Sequence, residues 1–157
     1  MQRRPYIGES YEICSIDYLK GILHTYADLN ENSSGLSYDF DLITIGKSND
    51  VISLVKEQFI EFREESFQLT LIPEETFLSE IKSWLYKSGD ISVLKVAQTK
   101  QDEEVNHLYE LFNKELTLNE VYKISELSDS YQFGISSDYY ILKGDSEYYL
   151  LYFLHTD

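Results

Sequence analysis

The amino-acid sequence predicts a single α+β domain: a mixed β-sheet with packed helices, closed by a C-terminal antiparallel β-meander. Three observations lead there. The chain has 157 residues, the length of one domain. Apolar spacing switches repeatedly between helical and alternating patterns in the first hundred residues. The last thirty residues carry alternating, tyrosine-rich runs separated by turn residues.

The elements follow in order. Tyr11 and Ile13 alternate with polar neighbours as a short strand. Ser15 is placed as an N-cap with Asp17 in the first turn, and Ile16, Leu19, Ile22, Leu23, Tyr26 and Leu29 then fall at helical spacing, giving a helix over 16–29. Gly21 sits inside that helix at a cost of up to ~1 kcal/mol relative to alanine, so a close crossing is expected there. A polar loop over 30–35 precedes a strand over 38–45. Val51, Val55, Phe59 and Phe62 predict a helix reaching about Glu65; the rival reading pairs Phe59–Phe62 as a strand with Phe67–Ile72. Phe67, Leu69 and Leu71 form a strand. Pro73 opens a helix with Phe77, Leu78, Ile81, Trp84 and Leu85 as its buried stripe and Gly89 past its end.

Ile91, Val93 and the Leu94–Ala97 run predict another strand, and Gln98–Asp102 a polar connection. Val105, Leu108, Tyr109 and Phe112 define a helix. Thr117 is placed as the cap of a further short helix through Leu127. Tyr131–Ile135, Tyr139–Lys143 and Glu147–His155 read as the meander, with Gly144-Asp145 as a two-residue hairpin turn. The final strand is apolar on both faces, which predicts a central or covered position.

Charge is the least ordinary property. There are 28 acids and 13 bases, a formal net of −15. Acids outnumber bases 12 to 3 after residue 100, and 16 to 10 over residues 1–100. Such a field repels nucleic acid and anionic membranes and attracts basic partners. No apolar run approaches the ~20 residues of a membrane span, and no secretory signal opens the chain. Cys14 is the lone cysteine, so a disulfide within the chain is impossible and a cytoplasmic location is expected.

His24, His107 and His155 are far apart, which does not fit a zinc helix. Asp39-x-Asp41 places two carboxylates on one strand face but has no third ligand. Cys14 and His24 have no protease signature around them, and neither a nucleophile elbow nor a phosphate-binding loop is present. The expectation is therefore a non-enzyme without metal or cofactor. The tightest acidic cluster is Asp102, Glu103 and Glu104, with Glu110 on the same outward side of the helix; these four are the candidate partner-binding residues, against the plainer alternative of a solvated helix start favoured by the dipole.

The chain resembles bacterial nuclease inhibitors in type: small, acidic and without catalytic motifs. The stretch Phe133–Tyr140 also resembles a strand pattern of one bacterial immunity superfamily, over the last quarter only, with no Leu-Pro-x-x-Tyr element upstream. The likeness implies an immunity or antitoxin-type protein that blocks the basic cleft of a nuclease-like toxin. The alternatives are a DNA mimic or regulatory adaptor for a basic partner, and an enzyme whose active site leaves no local motif.

Overall fold

The computed structural model describes residues 15–31, 37–64, 66–88, 91–92, 94–125 and 136–156. Along them run α1 (Ser15–Asn30), β1 (Ser37–Gly46), α2 (Val51–Gln58), a 3₁₀ turn (Ile60–Phe62), β2 (Gln68–Leu71), α3 (Glu74–Leu85), α4 (Gln98–Leu116), β3 (Glu120–Ser125), β4 (Ser136–Lys143) and β5 (Tyr148–Thr156). The five strands form one sheet in the order β1-β5-β4-β3-β2. Every ladder is antiparallel, which narrows the expected mixed sheet. The α+β class holds, and β5 lies between two other strands, as its two apolar faces predicted.

The sheet has a helical layer on each side. Tyr38, Phe40 and Leu42 of β1 and Leu151 and Phe153 of β5 face α1, α3 and α4, where Leu23, Phe77, Ile81, Leu108 and Phe112 complete the larger core. Ile45, Ile141 and Leu150 face the other way, onto Val55 of α2 and Phe62 of the 3₁₀ turn. β1 ends in a register shift between Thr44 and Gly46, where Gly46 takes φ 97, a conformation that costs glycine nothing.

Five expectations change. The helix expected to reach Glu65 stops at Gln58: Phe59 is extended, and the 3₁₀ turn that follows sends Phe62 onto Phe67 and Tyr139 with ring centroids 5.5 and 5.0 Å apart. Tertiary aromatic packing there outweighs helical spacing. Along Ile91–Ala97, Ile91 and Ser92 are helical and Lys95 has φ 53, so the expected strand is absent among the described residues. The polar stretch Gln98–Asp102 is not a connection but the start of α4, supported by Lys100 ion-paired to Glu104 at i, i+4 and by Lys82 of α3 on Asp102. The helix expected from Thr117 to Leu127 is strand β3 over its described part: Thr117 ends α4 at φ 51, and Val121 and Lys123 alternate with Tyr122 and Ile124 between two strands. Finally, β4 and β5 are joined by four residues, since Lys143 pairs with Tyr148 and the Gly144 N–H donates to the Glu147 carbonyl at 3.0 Å. The expected strands Tyr11–Ile13 and Tyr131–Ile135, and the Gly89 stop, lie outside the described residues.

Candidate functional site: a groove between the first and last helices

α1 and α4 lie on the same side of the sheet and leave a groove of about 850 Å³ between them, within the ~300–1,000 Å³ range of ligand sites. Its α1 wall is Tyr18, Gly21, Ile22, Tyr26 and Leu29, and its α4 wall is Glu104, His107, Leu108 and Leu111. Leu94 and Val96, from the segment expected to be a strand, form the rim. Of the large apolar side chains left exposed, two line this groove: Tyr18 at 55% and Leu94 at 68%. Asp17, at the start of α1, and Lys100, at the start of α4, also line it.

The floor is braced by polar contacts. The Tyr26 and Tyr86 hydroxyls lie 3.3 Å apart, and burial, then the Tyr26 hydroxyl, pushes Tyr86 well above the usual tyrosine range. One level below, Asn30 is fully buried. Its amide donates to the carbonyls of Tyr26 and Leu85 at 2.8 and 2.9 Å, and its oxygen accepts the Ser88 N–H at 2.7 Å. Asn30 thereby fastens the end of α1 to the end of α3, and with it one end of the groove.

The four acidic candidates do not form one patch. Successive helical residues turn by ~100°, so three in a row cannot face one way. Asp102 turns toward α3, where Lys82 holds it at 2.8 Å. Glu104 turns toward α1 and lines the groove. Glu103 and Glu110 lie between, both exposed. Lys100 lies 3.0 Å from Glu104 and 3.8 Å from Glu103, and the hydrogen bond from Lys100 to Glu104 raises the lysine's pKa. None of the acids is in the first turn of α4, so the dipole reading does not account for them. In the sequence, Gly21 inside a helix pointed to a close crossing, while the apolar Leu94–Ala97 run suggested a strand and Tyr18, on the polar side of α1, gave no signal.

Two other clusters are engaged internally. Glu80 accepts Lys123 at 2.8 Å and a very short bond from the Tyr140 hydroxyl; Asp138 accepts the Trp84 indole N–H at 2.7 Å and faces Lys123 at 3.4 Å. Burial, then the Glu80 bond, pushes Tyr140 far above the usual tyrosine range. This network clamps α3 onto β3 and β4. The Asp39-x-Asp41 pair is divided: Asp39 accepts the Tyr152 hydroxyl at 3.1 Å, while Asp41 accepts Lys20 at 2.7 Å and meets His24 at 3.1 Å. Among the described residues no group of three or more His, Cys, Asp or Glu is placed to hold a metal ion, and no helix is long and apolar enough to cross a membrane. Compared with known proteins, the chain matches no family model, no curated protein and no solved structure.

Proposed function

We propose that this protein is an acidic inhibitor of the immunity or antitoxin type, which captures a basic, nuclease-like protein and blocks its phosphate-binding cleft. One observation carries the reading: acids outnumber bases by 28 to 13, and several of the lysines are already paired within the chain. Lys20, Lys82, Lys100, Lys123 and Lys143 sit in internal ion pairs, and Lys56 and Lys87 lie over the rings of Phe67 and Trp84. Pairing cancels charge one for one, so the excess of 28 acids over 13 bases, a formal net of −15, is left intact. A surface of this kind is steered onto a cationic cleft and competes there with a polyanion. The cytoplasm is the matching location, since the lone Cys14 needs no oxidising compartment.

The test is affinity capture from the native cell extract at low salt, followed by assay of the captured protein. The expected result is one basic protein whose nucleic-acid cleavage stops at one equivalent of inhibitor, with association slowed about tenfold or more between low and high salt. Repeated capture without a basic protein, or capture without inhibition, would overturn the reading. Competition by DNA for a target that cleaves nothing would favour a DNA mimic instead.

A further inference from the structure

We infer that the α1–α4 groove is the docking site for an amphipathic helix of the partner, apolar on one face and flanked by lysine or arginine. The inference rests on the proposed function for the sign of the partner's charge. Its other support is geometric. Both helical walls run for nearly the same distance, from Asp17 to Leu29 and from Lys100 to Leu111. At 1.5 Å per residue each is about 17 Å long, the length of three helical turns. A helix laid in such a channel places i, i+3, i+4 and i+7 side chains on its apolar floor.

Gly21 points to the same occupant. Glycine is disfavoured in a helix interior, and here the fold gives no reason for it: a Cβ at Gly21 would meet nothing within 4 Å. The close crossing expected from the sequence is made by no element of the described chain. What the missing side chain preserves is room on the groove wall for another backbone to approach α1.

The edges supply charge complementarity. Asp17 stands on the α1 edge, with Asp28 exposed on the same helical face, while Lys20 is turned away onto Asp41. Glu104 lines the α4 wall beside Lys100, which lies 3.0 Å from it and 3.8 Å from the exposed Glu103. A helix with basic flanks meets one carboxylate on each wall, Asp17 on α1 and Glu104 on α4.

The probe is a synthetic helical peptide of leucine and lysine with leucines at i, i+3, i+4 and i+7, titrated into the full-length protein. Micromolar binding is expected, weakened about tenfold or more by Gly21→Leu, which fills the groove from a position where a Cβ meets no atom of the fold. A peptide of the same composition with scattered leucines, and one with glutamate in place of lysine, are expected not to bind. Equal binding by the Gly21→Leu protein, by the scattered peptide or by the glutamate peptide would overturn the inference. So would a dimer of the wild-type protein that Gly21→Leu makes monomeric, because the occupant is then a second copy. The two readings fail separately. If a basic partner is captured equally well by Gly21→Leu, the groove is wrong and the inhibitor stands. If the peptide binds in the groove but no basic partner exists, the inhibitor is wrong and the groove stands.

Discussion

Replacing Asn30 tests whether the end of the groove is held as described. Asn30→Ala removes three hydrogen bonds, two donated to the Tyr26 and Leu85 carbonyls and one accepted from the Ser88 N–H. The site is fully buried, so the abandoned Leu85 and Ser88 groups have no water to turn to. At about 1 kcal/mol per bond, the loss is about 3 kcal/mol. For a domain of this size each kcal/mol lowers Tm by about 2–4 °C, so thermal unfolding followed by circular dichroism should shift down by about 6–12 °C. Asn30→Asp sharpens the test. It keeps shape and acceptor but aims a buried carboxylate at two carbonyl oxygens, so it should be worse than alanine at pH 7. Burial and those oxygens raise the folded-state pKa of such an acid above its unfolded value. Its penalty is then full above the folded pKa and relieved as pH falls toward the unfolded one, so the gap between the aspartate and alanine variants should close toward about pH 4. An alanine variant within about 0.5 kcal/mol of wild type, or an aspartate variant no worse than alanine, would refute the reasoning.

Three further outcomes are expected. Asp41 sits half-buried; burial raises its pKa, but the bonds from Lys20, the Leu42 N–H and His24 outweigh this and hold it below the usual aspartate value. Its stabilisation is therefore present above that usual value and lost as pH falls through the folded pKa, so Asp41→Asn should cost about 1 kcal/mol at pH 7 and flatten the acid limb of the stability profile, read by urea titration at several pH values. Thr117→Gly should stabilise by about 0.5–1 kcal/mol in the same titration, because a β-branched residue at φ 51 carries a left-handed cost that glycine lacks. Gly144→Ala should destabilise by about 1–3 kcal/mol, since its Cβ would lie 2.5 Å from the Leu116 carbonyl oxygen, a backbone atom that cannot swing aside.

The parts of the fold that were legible are those where one long pattern decides. In α1, Leu19, Leu23 and Ala27 recur at four-residue spacing and all are buried; in β1, Tyr38, Phe40 and Leu42 alternate onto one core. The misread parts are those where a second element decides. Leu118, Val121 and Tyr122 suit a helix by spacing, and the last two become strand because β2 and β4 flank them and Thr117 breaks α4 first. Residues 98–102 look like a loop until Lys82, on a different helix, binds Asp102. The candidate acids were adjacent in sequence, but helical geometry parts them, leaving Glu104 in the groove and Asp102 against α3. The groove itself was not legible, because its walls come from the first and last described helices of the chain, and Gly21 predicts a close crossing without saying what crosses.

The treatment of the sheet edge bears on which surface a partner meets. An edge strand offers free N–H and C=O groups for pairing with another chain. At the middle of β1, Leu42 offers neither: Lys20 donates to its carbonyl at 2.9 Å, and the Asp41 carboxylate accepts its N–H at 2.8 Å. Further along, Gln58 donates to the Ile45 carbonyl at 2.6 Å. The opposite edge, β2, is four residues long. Strand addition to β1 would require Lys20 and Asp41 to give up their bonds to the Leu42 backbone, so recognition through the β1 edge is disfavoured at the same residues that fix α1 against the sheet. Lys20→Ala separates the two roles: it should expose the Leu42 carbonyl and promote self-association in sedimentation measurements, while leaving the affinity of the groove for the leucine–lysine peptide within about twofold of wild type. Loss of peptide binding in that variant, with no self-association, would mean that the Lys20–Asp41 pair serves the groove by positioning α1 and has no part in guarding the edge.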